Sequence, residues 1–204
     1  MTGLWNAMDF LAQAKLPGRI DLTGKSIAVI GGGNTAMDVA VTARQLEAKD
    51  VYLIYRRSFK EMPAWSAERE RAVNEGVHFL ILTQPLEYLG KNGTLTGIRL
   101  CPTRLGAPDQ SGRRRPEPLT ISAYDFDMDI VVEAIGQAPQ EDLEQMLPGV
   151  EIRDGLIQTQ DGTLATSRQG VFAGGDLVRG PSTVVAAVAD GMRAAGQIDQ
   201  FVQS

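Results

Sequence analysis

The sequence is poor in the residues on which most catalytic and metal sites depend. Its 204 residues include one cysteine, Cys101, and one histidine, His78. A single cysteine excludes a disulfide framework, a Cys-x-x-Cys redox pair, a cysteine-held zinc site and an iron–sulfur cluster within this sequence. Any Ser-His or histidine-rich metal chemistry would have to use one imidazole. We therefore expect no catalytic side chain and no metal site.

Long hydrophobic runs and an excess of positive charge are also missing. No apolar stretch approaches the roughly 18–20 residues of a membrane span, and the N-terminus lacks the basic start and apolar run of a signal peptide. The 25 acidic and 20 basic residues give a net charge of −5, and no aromatic cluster accompanies the arginines at 113–115. We therefore expect neither nucleic-acid nor membrane partners, and a cytoplasmic location.

What is present is a chain that is 43% apolar, enough for a proper core. Apolar runs predict strands over residues 25–30, 51–55 and 77–82, and helical periodicity predicts helices over residues 34–48 and 66–75. Nearly continuous apolar strands that alternate with helices are typical of an α/β fold with a Rossmann-like, doubly wound parallel sheet.

Residues 83–204 have a different pattern, with more hairpins than helices. In chain order we predict strands over 85–88 and 95–100 joined by an Asn-Gly turn, a polar loop over 106–118, a buried strand over 129–135, a hairpin over 151–158, a strand over 170–173 and a helix over 182–202. The connection that leads to the strand at 129–135 is therefore a β-meander crossover and not a helix.

A glycine-rich segment lies between the first predicted strand and the first predicted helix. Residues 31–36, GGGNTA, fit the dinucleotide-binding pattern G-x-G-x-x-G/A in the required strand–loop–helix context. Gly31 permits the tight turn, Gly33 lets the backbone approach a pyrophosphate, and Ala36 lies where the helix packs on the sheet. The helix N-terminus attracts phosphate. The segment predicts a dinucleotide site; the alternative is a glycine turn that binds no ligand.

The residues after the second predicted strand indicate which nucleotide is bound. An NAD site places Asp or Glu there to accept a hydrogen bond from the ribose 2′-hydroxyl, whereas this chain has Tyr55, Arg56, Arg57 and Ser58. Arginine is a planar, permanently charged phosphate ligand, so the segment favours NADPH over NADH. The alternative is a pair of solvated surface charges. A methyltransferase with a similar glycine loop is disfavoured because it would need an acidic residue here.

A series of motifs resembles the small (β) subunit family of NADPH-dependent glutamate synthase. In order they are VIGGGNTAMD at 29–38, YRRS at 55–58, EMPA at 61–64, EGVHF at 75–79, LGAPD at 105–109, SGRRRP at 111–116, AIGQAP at 134–139 and GVFAGGD at 170–176. The resemblance runs from about residue 7 to the C-terminus. Dihydropyrimidine dehydrogenase and flavoproteins of the ferredoxin–NADP oxidoreductase type share this module, so the subfamily stays open.

The resemblance implies a protein with two dinucleotide-binding domains, in which the NADPH domain is inserted into the FAD domain. Residues 1–22 would be a linker helix region from the FAD domain, residues 23–137 the NADPH-binding domain, and residues 138–204 the C-terminal remainder of the FAD domain. The implied activity is hydride transfer from NADPH to FAD for onward electron transfer. Because the cofactors carry the chemistry, no side-chain acid or base is required.

The resemblance also implies which residues hold the cofactors. For NADPH these are Gly31, Gly32, Gly33, Asn34, Thr35 and Ala36 in the glycine loop, Arg56, Arg57 and Ser58 at the 2′-phosphate, and Ala134, Ile135 and Gly136 beside the nicotinamide. For FAD they are Gly175, Asp176, Thr183 and Val184, with Asp176 accepting from a ribityl hydroxyl and the last helix directing its N-terminus at the flavin. The sequence alone also fits residues 174–176 as a turn with an Asx cap.

Two features of the family are missing from this sequence. Family members carry a first G-x-G-x-x-G motif for FAD upstream, and the small subunit carries an N-terminal cysteine-rich iron–sulfur portion. We therefore expect a fragment that binds NADPH, with FAD belonging to the parent protein because its pyrophosphate anchor is missing here. The parent's partner would be the large (glutaminase/synthase) subunit or another electron acceptor. Three alternatives are open for the tail, residues 136–204: it folds back on the NADPH domain, pairs with another chain, for example in a homodimer, or remains mobile. The alternative is a nucleotide-binding module without turnover.

Overall fold

A computed structural model describes residues 1–16, 18, 20–109, 112–136 and 143–203 of the chain. The chain divides into two compact units, residues 1–136 and residues 137–204. The boundary at 137/138 and motif residues 137–139 lie outside the described residues, as does Ser111 of the arginine motif. The three-part division into linker, NADPH domain and FAD-domain remainder therefore stays a prediction.

The described residues of the first unit form twelve α-helices and β-strands. They are β1 (Leu4–Asn6), α1 (Ala7–Ala14), β2 (Ser26–Ile30), α2 (Asn34–Gln45), β3 (Asp50–Tyr55), α3 (Ser66–Asn74), β4 (His78–Ile81), β5 (Thr83–Lys91), β6 (Thr94–Pro108), β7 (Arg114–Pro118), β8 (Tyr124–Asp127) and β9 (Ile130–Glu133).

A five-stranded parallel sheet forms the middle layer of this unit. Its order is β1-β9-β2-β3-β4, and each neighbouring pair is parallel. Strand β2 reads SIAVI, and its last four residues are buried, because this central strand is covered on both faces and so carries apolar side chains in succession. The predicted α/β class with a parallel sheet is confirmed.

Helices α1, α2 and α3 cover one face of the sheet. The small residues Ala36, Ala40 and Ala43 of α2 are fully buried against it, which allows the helix backbone to lie close to the strands. Phe10 of α1 is also fully buried in this core. Residues 1–22, assigned from sequence to a linker, thus supply an edge strand and a packed helix to the first unit.

The other face is covered by the antiparallel strands β5, β6, β7 and β8. Ile98 and Leu100 of β6 pack against the sheet residues Ala28 and Val131. The β5–β6 turn is the predicted Asn92-Gly93, with φ values of 51° and 79°, as a hairpin turn of this type requires.

The predicted polar loop over residues 106–118 is wrong. Strand β6 continues to Pro108 and pairs with β7, so that Thr103 lies opposite Pro118 and Leu105 opposite Pro116. Prolines and arginines dominate β7, RRPEP, and they hide a strand from a reading based on hydrophobicity. Proline is tolerated there because β7 lies at the end of the strand order.

The second unit is built from short elements and one long helix. They are α4 (Leu143–Met146), β10 (Ile152–Arg153), β11 (Leu156–Ile157), α5 (Asp176–Arg179) and α6 (Val184–Gln203). The hairpin expected over residues 151–158 is present. The strand expected over residues 170–173 is absent from the described structure, which has one isolated bridge there, between Ala165 and Phe172. In the described part of the chain, no helix has the length and apolar content needed to cross a membrane.

Candidate nucleotide-binding site

The glycine loop lies at the carboxyl edge of the sheet, where the strand order reverses. From β2 the chain proceeds to β3 and β4 on one side, whereas β9 pairs with β2 on the other. Gly31 follows β2 and Ala134 follows β9; the Ala134 amide donates to the Ile30 carbonyl at 2.8 Å. Ligands of open α/β sheets bind at such a switch point.

The three glycines of the loop differ in what a side chain would meet at each position. At Gly31, φ is +147° and a Cβ would lie 2.3 Å from the Ala134 carbonyl oxygen. At Gly32 a Cβ would lie 2.6 Å from the ring of Tyr55. At Gly33, however, no described atom beyond the two neighbouring residues lies within 4 Å of the Cβ position. The protein itself therefore excludes side chains at the first two positions, whereas the third borders open space.

The N-terminus of α2 opens beside Gly33. Gly33 is the N-cap residue and supplies no side-chain cap, and in the described structure the amides of Asn34 and Thr35 have no recorded backbone acceptor. A 12-residue helix with uncapped amides and an unfilled approach suits an anion. The chemistry of this cradle fits the pyrophosphate of a dinucleotide.

Residues 61–65 brace the glycine loop from the side. The Ala64 amide donates to the Gly32 carbonyl at 3.0 Å, and the Trp65 amide donates to Asn34 Oδ1 at 3.1 Å. The Tyr55 hydroxyl donates to the Glu61 carbonyl at 2.9 Å. The EMPA motif at 61–64 therefore supports the loop structurally, a role that sequence reasoning missed.

The three residues predicted at the 2′-phosphate lie in different environments. The Arg56 side chain is exposed, whereas Arg57 is buried and pairs with Asp109 at 2.7 Å. The Ser58 hydroxyl donates to the Glu61 carboxylate at 2.5 Å. This hydrogen bond is the main reason that the pKa of Glu61 is lowered.

The residues that follow β9, at the position predicted for the nicotinamide, are exposed to solvent. Ile135 is 72% exposed, and Gly136 adopts a φ of +112° with open space at its Cβ position. Two residues before Ile135, Glu133 accepts a hydrogen bond from the Tyr88 hydroxyl at 2.5 Å. Burial, and then the Glu133 carboxylate, raise the pKa of Tyr88. This pair joins β5 to the end of β9 and was not found from sequence.

In the second unit, the residues predicted for FAD form a turn held by a buried acid. Gly175 has a φ of +66°, and its amide donates to Asp190 Oδ2 at 2.8 Å. Asp190 is 2% exposed and also pairs with Arg179. The hydrogen bond from the Gly175 amide, with a further contribution from Arg179, holds the pKa of Asp190 below its usual value.

The same turn leads to the start of α6. Asp176 Oδ1 accepts from the Ser182 amide at 3.1 Å, which is the Asx-type interaction left open by the sequence. The Thr183 hydroxyl accepts from the Ala186 amide at 3.2 Å, so Thr183 caps the helix that begins at Val184. The structure thus brings Asp176 and the N-terminus of α6 together within the second unit.

Comparison with known proteins identifies the module. The family model for pyridine nucleotide-disulphide oxidoreductases matches residues 3–191. The chain is similar to the NADP(+)-dependent formate dehydrogenase subunit beta of Moorella thermoacetica, with 45% identity over 202 residues, 98% of this chain and 28% of that protein. It is similar to the glutamate synthase [NADPH] small chain of Azospirillum brasilense, with 37% identity over 190 residues, 92% of this chain and 39% of that protein.

The fold has a solved counterpart in T. acidophilum thioredoxin reductase. The TM-score is 0.73 at 22% identity, with all of this chain and 59% of that chain covered. The resemblance to the glutamate synthase small subunit found from the motifs is confirmed by the sequence relatives, and the type of fold by the structural one. The chain spans less than two fifths of the two sequence relatives described above.

Proposed function

This chain belongs to the pyridine nucleotide-disulphide oxidoreductase family, and from that premise we propose that it is the NADPH-binding part of a flavin-dependent oxidoreductase. The larger protein passes hydride from NADPH to FAD for onward electron transfer, as in the glutamate synthase type. The observation that carries the proposal is the open approach to Gly33 at the uncapped N-terminus of α2.

The pyrophosphate lies against residues 31–36 in this proposal. Gly33 permits close approach, and the amides of Asn34 and Thr35 donate to phosphate oxygens. Ala36 is fully buried and fixes the helix on the sheet. Gly31 and Gly32 shape the turn and do not need to touch the ligand.

The 2′-phosphate is held by Arg56 in this proposal. Arg56 is exposed and lies next to Tyr55, whose ring adjoins Gly32. The predicted contacts from Arg57 and Ser58 have less support, because the side chains of both are engaged within the protein, with Asp109 and Glu61.

Ala134, Ile135 and Gly136 line the nicotinamide side in the proposal. The close approach of Ala134 to Gly31 supports their proximity to the dinucleotide loop. When NADPH and FAD are both bound, the cofactors supply hydride transfer chemistry. The role of these residues is to orient the nicotinamide and to keep water away from it.

For FAD, we assign the ribityl contact to Asp176 and the flavin-facing helix end to Thr183 and Val184. Asp176 is exposed, and one of its oxygens accepts from Ser182. Gly175 holds the turn in a conformation that a side chain would strain. These residues fit a flavin ribityl chain but do not provide a pyrophosphate cradle, so we propose that FAD binding requires the parent protein.

Two of the proteins similar to this chain are named as subunits or small chains, which supports a partner for the parent protein. We propose a large subunit of the glutaminase/synthase type or another electron acceptor. A homodimer through the tail is the alternative arrangement. We also propose that the protein acts in the cytoplasm.

Titration of the purified chain with NADPH and with NADH tests the nucleotide site. We expect Arg56→Gln to raise the Kd for NADPH by about 10- to 100-fold, because a charged hydrogen bond contributes about 1.5–3 kcal/mol. The Kd for NADH is expected to stay unchanged, since NADH has no 2′-phosphate.

Arg153→Gln is the matched control, because Arg153 is an exposed arginine that pairs with Glu151 in the second unit. It should change neither Kd. An equal loss of affinity for NADPH and NADH in Arg56→Gln would contradict the assignment of Arg56 to the 2′-phosphate. Failure of the unaltered chain to bind either nucleotide would contradict the nucleotide site as a whole.

The visible spectrum separates the two candidate functions. A colourless chain that binds NADPH supports the proposal that FAD requires the parent protein. A yellow chain that reduces a dye with NADPH would show that the chain is itself a complete diaphorase and would overturn that part of the proposal.

A further inference from the structure

Arg57 is the buried member of the arginine pair that follows β3. Its side chain is 6% exposed, and Nη2 lies 2.7 Å from Asp109 Oδ2. Its Nε donates to the Arg114 carbonyl at 2.7 Å. Both partners lie where β6 ends and β7 begins, 52 and 57 residues further along the chain. The guanidinium thus joins the end of β3 to a hairpin that the sequence did not predict.

The main chain of the arginine pair is fixed to the same layer. The Arg56 carbonyl accepts from the Thr103 hydroxyl at 2.8 Å, and the Arg57 carbonyl accepts from the Leu82 amide at 3.1 Å. Leu82 in turn accepts from the Thr103 amide at 2.7 Å. The backbone is therefore tied to β6, while the Arg56 side chain has no recorded partner within the described residues.

Arg57 is poorly placed to serve as a phosphate ligand in this arrangement. Its Nε and Nη2 already donate to the Arg114 carbonyl and to Asp109 in part-buried hydrogen bonds, and a shift of the guanidinium toward a phosphate would break them. Its charge is also offset by Asp109. Arg56 has neither restraint.

We propose that Arg57 is a positioning residue for NADPH selectivity: its ion pair with Asp109 clasps the β6–β7 hairpin to the end of β3 and so fixes Arg56 toward the 2′-phosphate. The inference rests on the proposed NADPH site and deepens it. It assigns Asp109 and Arg57 to a single unit, termed here the Arg57–Asp109 clasp.

The neutral variant Asp109→Asn distinguishes a clasp from a direct ligand. If Arg57 bound the phosphate directly, removal of a nearby negative charge would leave the NADPH Kd unchanged or lower it. If the clasp positions Arg56, the same change loosens the hairpin and raises the NADPH Kd. The two models therefore predict different outcomes for the NADPH Kd of Asp109→Asn: unchanged or lower for a direct ligand, and higher for a clasp.

We expect Asp109→Asn and Arg57→Met each to raise the NADPH Kd about 5- to 20-fold in the full chain, measured by calorimetric titration. The double variant should be no worse than the weaker-binding single variant, because both changes break one unit. The NADH Kd should stay within about twofold, since the glycine loop does not depend on the clasp.

The exposed pair Arg104–Glu117 on the same hairpin is the matched control. Its atoms lie 2.7 Å apart, but the side chains are 72% and 43% exposed, so Glu117→Gln should leave both Kd values unchanged. If Asp109→Asn does not fold, Asp109→Glu takes its place, because it keeps the charge on a longer side chain. It must raise the NADPH Kd by a smaller factor and leave the NADH Kd unchanged.

The proposal is overturned if Asp109→Asn binds NADPH as well as or better than the unaltered chain. It is also overturned if NADPH and NADH weaken together, which would make the clasp a general support of the fold. Failure of the underlying NADPH site is distinguishable, because it would appear in the unaltered chain or as an Arg56→Gln variant that retains full NADPH affinity.

Discussion

Gly31 and Gly33 belong to the same loop but should respond differently to the same substitution. Gly31 combines a φ of +147° with a carbonyl oxygen 2.3 Å from the Cβ position, so we expect Gly31→Ala to destabilise the fold by about 1–3 kcal/mol. Gly33 has extended backbone and open space, so Gly33→Ala should leave the melting temperature unchanged while NADPH affinity falls tenfold or more. Thermal melts and nucleotide titrations of both variants provide the measurement.

Gly162→Ala is a control for the strain of a positive φ without a steric clash, since Gly162 has a φ of +73° and open space at its Cβ position. A stable Gly33→Ala variant with normal NADPH affinity would place the pyrophosphate elsewhere.

Asp190 provides a prediction with a definite pH dependence. Its pKa is lowered in the folded chain because it accepts the Gly175 amide and lies beside Arg179. A group with a lowered folded pKa stabilises the fold above its unfolded pKa, about 3.9, and loses that contribution as pH falls through the folded value. The melting temperature of Asp190→Asn should therefore lie furthest below that of the unaltered chain at neutral pH, and the gap should close below about pH 4.

Asp199→Asn on the same helix is the comparison, because Asp199 is exposed. It should leave the melting temperature close to that of the unaltered chain. A gap for Asp190→Asn that persists unchanged into the acid range would show that the lost interaction is not that of the carboxylate charge.

Between elements, the Tyr88–Glu133 hydrogen bond joins the meander layer to the parallel sheet. Tyr88→Phe removes the hydroxyl donor and leaves the partly buried Glu133 carboxylate oxygen without this hydrogen bond. We therefore expect a loss of about 1–3 kcal/mol in the free energy of unfolding. Chemical denaturation checks this value.

Tyr124→Phe provides the matched control, since no hydrogen bond of its hydroxyl is recorded among the described residues and its side chain is 42% exposed. If the two variants were equally stable, the cross-layer bond would make no net contribution.

The elements that sequence predicted well are those whose burial follows one regular period. Strand β2 is covered on both faces and helix α2 packs one side against the sheet, and the apolar pattern of each sequence shows this directly. Strand β7 was missed because a peripheral strand can be built from arginine and proline when one neighbour supplies the pairing. The apolar run at residues 170–173 was wrongly read as a strand, because apolar side chains can pack in a small core, as Val171 and Ala173 do, without a continuous ladder.

For the molecule as a whole, the glycine loop could be located from sequence but the surroundings of each arginine could not. A local pattern specifies that a strand ends in a glycine turn and that arginines follow the next strand. It does not contain the partner of Arg57, because Asp109 lies 52 residues away and reaches it only through the meander. The difference between the exposed Arg56 and the buried, paired Arg57 is therefore a tertiary property.

The exposed side of α6 gives a prediction for the whole chain. Val184, Val188 and Met192 are spaced four residues apart on one face, and they are 80%, 57% and 73% exposed. A contiguous apolar surface of this kind favours association, since each buried Å² contributes about 25 cal/mol. In the alternative arrangement, a homodimer through the tail, this helix forms the contact, and the double variant Val188→Lys, Met192→Lys should weaken the dimer at least tenfold in sedimentation experiments.

The control is Ile121→Lys, which changes an apolar residue that is 98% exposed in the first unit. It should leave the association constant unchanged, because it does not lie on α6. A chain that stays monomeric at every concentration, or an equal effect of both variants, would contradict association through α6. An increase in dimer strength after the lysine substitutions would also do so, because two added positive charges on each copy oppose contact between identical faces.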